Sequence, residues 1–562
     1  ICSSHSGSPN CSMKALSSFL AILPTFIFPV HTRTVGLHSS NASCSLGSAS
    51  CASDDADSPI LLNLYGRVYD VTSFADRHPG GRRILQDAAN LDLPDATPLF
   101  ESYHAFRNAS EMLSKLALYD TGRPSAYPQL FTFEEDGFYR DVRRRAANVL
   151  PPCPRFGSPG SLTTCMVKGG MVSHMHLLLC SAMIVMLLVV ASMTRPLMLA
   201  VVAALLAGAF LIRTSIVEMH DATHMGCSET LATNKFLGDV AASAIFFDAR
   251  TWTAQHMLHH HVYTGSVALD VDVTFGWPVF RKQLAHPWAG RPVPFAIEQL
   301  FFIAALPGQW LLQVGTYELM RRTSRQLELG QGNLVEAEML YEPMFNQSLP
   351  RRLLGMLPQA HKRSYMNFLG EKAWLTAMIS CWLPLWVLFS IHSHRRRGVR
   401  FPLATCRSIA LALATVVGAN AFYALTVLAQ HDAMEPHSDI QNVLDRSKGP
   451  FDWGELQVRA SSDWYDDYGI ADLIWRGTNR GSIHHLFPAV HPNYLPHLAP
   501  VVHEAMRDHG IPINDFPSVL PALHSGYLHL ASTSARSGAR ASLLGSILSL
   551  GKEYVKGVCD IR

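Results

Sequence analysis

The chain has 562 residues, of which 48% are hydrophobic and 16% charged, whereas an average soluble chain carries about 25% charged residues. Its 46 basic and 44 acidic residues leave a formal charge of +2, which excludes a nucleic-acid binder driven by bulk charge. The hydrophobicity excludes a disordered chain, and the length predicts several domains.

Residues 1–58 read as an N-terminal targeting segment followed by a linker. The run 14–30 is apolar behind Lys14, and 36–58 is rich in Ser, Ala and Asp. An equal reading of 14–30 is upstream sequence translated in error. Residues 59–122 have the make-up of a compact soluble domain. Residues 123–170 hold many Pro, Gly and Ser and the basic run 140–145, and read as a linker and interfacial segment.

Apolar runs follow at 177–193 and 197–212, separated by Arg195-Pro196, and predict a tight helical hairpin. A second pair lies at 373–391 and 409–428. A weaker run, 301–314, contains Pro307-Gly308 and reads as an interfacial or re-entrant piece. Two hairpins put the soluble stretches 213–292 and 429–530 on one side of the membrane. The tail 531–562 carries one amphipathic run at 543–550. The chain has 27 histidines, and many cluster in these soluble stretches. The cysteine count is odd, no CxxC pair occurs, and the pattern fits reduced thiols facing a cytosol.

Residues 64–81 read LYGRVYDVTSFADRHPGG, and 95–104 read DATPLFESYH. Val68, Tyr69 and Val71 predict a short strand, and Gly80-Gly81 force a turn after His78-Pro79. Two neutral imidazoles, His78 and His104, can ligate one heme iron from opposite faces. The segment resembles the cytochrome b5 domain, which implies heme b, His78 and His104 as its axial ligands, and a one-electron carrier.

His220 and His224 are spaced i, i+4, so a helix places both on one face. His256 and His260 repeat that spacing, with His261 beside them. The third cluster is His484-His485. Imidazole donors suit iron, zinc, copper and nickel.

With HDATH at 220–224, QHMLHHHVYTG at 255–265 followed by Asp270 and Asp272, DWGELQVRASSDW at 452–464 and IHHLFPAVHPNYLPHLAPVV at 483–502, the chain resembles the front-end membrane fatty acyl desaturases that carry an N-terminal cytochrome b5 domain. The resemblance implies an α-helical integral membrane protein with two transmembrane hairpins and a cytosolic helical di-iron domain over 171–530. A small α+β heme domain precedes it. It implies two non-heme irons held by His220, His224, His256, His260, His261, His484 and His485, with His431 as a further ligand. His259 competes with His260 and His261 for the second segment, and the following Val-Tyr-Thr favours the latter pair.

One departure stands out. Three residues before His484 the family has Gln or His, whereas this chain has Gly481. Asn479, His491 or a water are the candidates to fill that place.

The implied reaction is O2-dependent desaturation of an acyl-CoA or phospholipid acyl group, with electrons from NADH-cytochrome b5 reductase through the fused heme. The implied location is the endoplasmic reticulum, with heme and di-iron domains cytosolic. The alternatives are a sphingoid long-chain-base desaturase, a fused fatty acid hydroxylase, and a non-catalytic membrane heme protein, the last favoured by Gly481. Four arginines at 395, 396, 397 and 400 argue for a cytosolic loop between the second pair of spans. The need for all histidine segments to share one face makes that loop lumenal.

Overall fold

A computed structural model of the chain describes residues 59–90, 95–106, 114–125, 129–150, 168–245, 249–265, 270, 381–433, 435–436, 450–465 and 474–536. The expected leader and linker at 1–58, the run 301–314, Asp272, most of the first half of 373–391 and the amphipathic tail run lie outside the described residues.

The heme-type domain is built on strands β1 (Leu61–Leu64), β2 (Arg67–Asp70) and β3 (Asp120–Pro124), paired antiparallel in that order. Helices α1 (Arg82–Asn90) and α2 (Thr97–Tyr103) cover the sheet. Leu62, Leu64, Tyr69 and Val71 are buried beneath them. Just before α2, Asp95 accepts from the Thr97 amide at 2.9 Å and so fixes the turn into the helix.

The stretch 123–170 departs from the expected linker. It carries a short strand β4 (Phe131–Thr132) and helix α3 (Phe138–Val149). Phe138, Tyr139, Val142 and Ala146 of α3 are fully buried. The basic run that looked interfacial is a docking device. Arg140 and Arg143 both reach Glu101 of α2, which is 4% exposed, and Tyr65 Oη donates to the same carboxylate at 2.6 Å. A buried carboxylate needs such partners, because desolvating it alone costs several kcal/mol. Phe106 stacks on Phe487 at 5.4 Å, so the heme-type domain shares one core with the C-terminal half.

Three described helices are long and apolar enough to cross a membrane: α4 (Met171–Met193), α5 (Leu197–Thr223) and, later in the chain, Phe401–Gln430. Helix α6 (Leu231–Ala244) follows α5. Trp382–Arg396, α7, precedes Phe401–Gln430, α8, and is shorter than a span over its described residues. Leu178, Leu179, Val185, Met198, Leu199, Leu388 and Leu413 point outward from these helices and are exposed. Apolar surface of this extent fits lipid rather than water. Helix α5 outruns the predicted run by more than two turns. At about 1.5 Å per residue its 27 residues exceed a hydrocarbon core of about 30 Å, so its last turns emerge with His220.

Helices α5 and α8 run side by side in the same direction. Gly208 faces the Thr415 backbone and Gly418 faces that of Leu205, and a Cβ at either glycine would overlap the facing chain. The turns before both helices meet at one end, where Arg407 donates to the Thr194 and Arg195 carbonyls at 2.6 and 2.9 Å. The arginines of the 395–400 segment gather at this end. The other ends of α5 and α8 deliver His220 and His431 to a cap. The cap includes β5 (Phe451–Asp452), α9 (Trp453–Arg459), β6 (Asp463–Trp464), α10 (Gly481–Leu486), α11 (Leu495–Asp508), β7 (Asp515–Phe516) and α12 (Val519–Arg536). Strand β4 pairs in parallel with β5, and β6 with β7.

Candidate metal centre

The structure brings eight histidines into two adjoining clusters. His220, His224, His256, His261 and His484 form one, and His260, His431 and His485 form the other. Within each cluster the potential ligand atoms lie within 4.8 Å of one another. His259, though buried, belongs to neither.

The second histidine segment explains the split. Residues Thr253–His260 form a π-helical stretch, not the α-helix assumed from the i, i+4 spacing. A π-helix closes i→i+5 hydrogen bonds, which brings side chains four and five residues apart onto one side. His256 therefore aligns with His261, their Nε2 atoms 3.2 Å apart. His260 turns to the other cluster, its ring centroid 4.7 Å from that of His431 and 4.9 Å from that of His485. The expected neighbourhood of His256 and His260 is kept, their rings stacked with centroids 4.9 Å apart, while His260 also meets the second cluster.

Four of the rings, those of His220, His260, His431 and His485, are aimed by a partner on Nδ1. Asp270, 1% exposed, lies 2.9 and 3.0 Å from Nδ1 of His260 through its two oxygens. Gln457 Oε1 faces Nδ1 of His485 at 3.0 Å and accepts from Thr264 Oγ1 at 2.6 Å. Gln457 is in place because Asp452 caps α9, accepting from the Gly454 and Glu455 amides at 2.8 and 3.2 Å. Nδ1 of His431 faces the Ala460 carbonyl at 3.3 Å, and Nδ1 of His220 faces Asp221 at 3.1 Å. Such outer partners fix the tautomer and leave Nε2 for a metal. Asp463 anchors α10 by accepting from the Ser482 amide and hydroxyl, both at 2.9 Å.

Burial holds the imidazoles of His224, His261, His484 and His485 well below the ordinary histidine range, and neighbouring imidazoles add to the effect. They are neutral, the form a metal binds. Among the described residues, Nε2 of His224, Nδ1 of His261 and Nε2 of His484 are buried with no hydrogen-bond partner. Buried polar atoms are rarely left so. The donor set and these orphaned nitrogens together fit iron. Above the clusters opens a cavity walled by Ile212, Ile216, Val217, Phe422, Val427 and Leu495.

His78 and His104 face each other, ring centroids 6.3 Å apart. Nδ1 of His104 lies 2.7 Å from the Phe100 carbonyl, and Nδ1 of His78 lies 3.4 Å from that of Gly81. Both rings thus turn Nε2 toward the space between them. Gly81 adopts φ +84°, which a side chain would strain.

Some functional contacts have no signal in the sequence. Tyr103, next to His104, hydrogen-bonds Nδ1 of His224 and stacks on its ring with 9° between planes. One residue and one hydrogen bond therefore link the two candidate cofactor sites. Asn479 donates its amide to the Trp464 carbonyl at 3.1 Å, and His491 lies 3.0 Å from Ser173 Oγ and 3.1 Å from Arg476. Neither stands in for a side chain at Gly481.

Residues 196–517 match the family model described as Fatty acid desaturase, and residues 49–120 match the Cytochrome b5-like Heme/Steroid binding domain. Among curated proteins, the chain is 25% identical to an Acyl-lipid (8-3)-desaturase of Mortierella alpina, covering 82% of this chain and 91% of that one. It is 23% identical to Delta(5) fatty acid desaturase A of Dictyostelium discoideum, covering 85% and 92%. It is 25% identical to a chloroplastic Acyl-lipid (7-3)-desaturase of Chlamydomonas reinhardtii, covering 87% and 83%.

Proposed function

We propose, from the premise that the chain belongs to the fatty acid desaturase family, that it is a front-end acyl-lipid desaturase whose fused heme domain feeds its own iron centre. The observation that carries the reading is the pair of adjoining imidazole clusters beneath an apolar cavity between membrane helices.

In this reading His78 and His104 hold heme b. His220, His224, His256, His261 and His484 hold one iron, and His260, His431 and His485 hold the second. Bound there, iron supplies the oxidising chemistry: O2, two electrons and two protons convert a –CH2–CH2– unit to –CH=CH– with release of two waters. The chain's own residues position and exclude. Ile212, Ile216, Phe422 and Val427 hold the acyl chain and keep water from the clusters. Asp270 and Gln457 keep His260 and His485 pointing inward. Tyr103 fixes His224 and ties the heme domain to the centre.

The electron source is NADH-cytochrome b5 reductase, and the membrane is that of the endoplasmic reticulum. The second apolar pair completes four spans. The histidine end faces the cytosol with the reductase, which puts the arginine-rich end on the lumenal side against the positive-inside tendency.

The test is expression in a host lacking polyunsaturated lipids, with fatty acids supplied and products read by mass spectrometry. A new double bond is expected. The specificities in the relatives' names, (8-3), (7-3) and Delta(5), set the positions to examine first. Protein that binds iron and heme yet forms no double bond from any supplied chain overturns the reading.

A further inference from the structure

The two clusters are unequal, and the smaller sits beside the place where the third histidine segment lacks a side chain. Gly481 opens α10 one turn before His484 and His485, so a side chain there would project on the face that carries both imidazoles. That space is filled from another helix. A Cβ built on Gly481 would lie 2.7 Å from Cγ and 2.9 Å from Cδ of Gln430, and closer still to its amide nitrogen. A side chain at 481 would therefore have to push the Gln430 side chain out of the place it occupies.

Gln430 is the last residue of α8 and precedes His431 of the three-histidine cluster. Its backbone carbonyl accepts from the Ser462 amide at 2.8 Å, which fixes its main chain. Its side-chain amide makes no hydrogen bond among the described residues, yet it lines the same cavity as His260, His431 and His485. An amide carries an oxygen acceptor at one end and can turn it toward a cation.

We infer that Gln430 supplies, from α8, the donor that α10 lacks at Gly481: its amide oxygen is the fourth protein ligand of the three-histidine centre. The inference rests on the iron-centre reading above. It also gives Gly481 a role. The glycine is the space that admits a glutamine one helix away.

The test uses the full chain in detergent, loaded anaerobically with ferrous iron alone. It reads non-heme iron per chain and the rate at which iron passes to a ferrous chelator. Gln430→Met keeps the bulk and removes both amide atoms. One of the two irons should leave at least about 10-fold faster than from the unaltered protein, while the other leaves at its usual rate. Gln430→Glu keeps an oxygen donor and should hold both irons. The exchange Gln430→Ala with Gly481→Gln moves the amide back onto α10 and should restore slow release.

Both irons leaving Gln430→Met at the unaltered rate overturns the inference. Equal acceleration in Gln430→Met and Gln430→Glu overturns it too, since that marks packing rather than donation. If Gln430→Met fails to fold, as judged by its heme, the exchange variant decides: retention of both irons supports the inference and loss of one overturns it. Unaltered protein that binds heme but no other iron overturns the iron centre itself, and this inference with it.

Discussion

Five imidazoles surround one candidate iron position and three the other, although a single chain segment feeds both. His256 and His261 go to the larger cluster and His260 to the smaller because the π-helical stretch rotates consecutive side chains apart. The larger cluster has donors in reserve. The smaller depends on every ring it has, on Asp270 and Gln457 to aim them, and on Gln430 beside it. A di-iron site built this way should lose its two metals unequally.

The largest difference is expected from removing a ring. His431→Ala should empty the three-histidine centre and lower product formation by more than about 100-fold, beyond the usual range for outer-shell changes. His256→Ala should leave four rings in place in the larger cluster and a measurable amount of that cluster's iron. Non-heme iron per chain and product by mass spectrometry separate the two outcomes, and equal losses would erase the contrast.

Acidification probes the same contrast. Burial holds the imidazoles of His224 and His485 below the ordinary histidine range, so the unfolded chain takes up more protons as pH falls. Stability and metal retention are therefore greatest above the ordinary histidine range and are lost progressively as pH falls through it towards the depressed range of the folded chain. The iron of the smaller cluster should leave first on lowering pH, as read by chelator capture.

A smaller effect is expected from Asp270→Asn, which keeps the shape and weakens the hold on His260. Iron affinity should fall about 10- to 100-fold at the three-histidine centre alone. Smallest is Tyr103→Phe. It removes one hydrogen bond from His224, in the cluster with donors in reserve, a loss of about 1 kcal/mol. Iron content should stay unchanged. Reoxidation of the reduced heme by the iron centre, followed by stopped-flow absorbance, should slow by no more than about 10-fold.

Much of the site was legible in the chain because its signals are local. HPGG with a distant histidine marked the two rings that face each other, His78 and His104, and the i, i+4 spacing of His220 and His224 marked the end of α5. Aliphatic runs marked α4, α5 and α8, since lipid exposure demands unbroken apolar stretches. The basic run 140–145 misled for a physical reason. Arginine at a surface and arginine meeting a buried carboxylate look alike until Glu101, about forty residues earlier, is placed beside it.

Composition and spacing by themselves determined the donor types and the long apolar runs, because each is set by residues a few positions apart. Only the tertiary structure decided how eight rings divide into five and three, which partners aim them, and what fills the space at Gly481. Those outcomes rest on contacts between distant segments, such as Thr264 with His485 across 221 positions, and no local pattern records them.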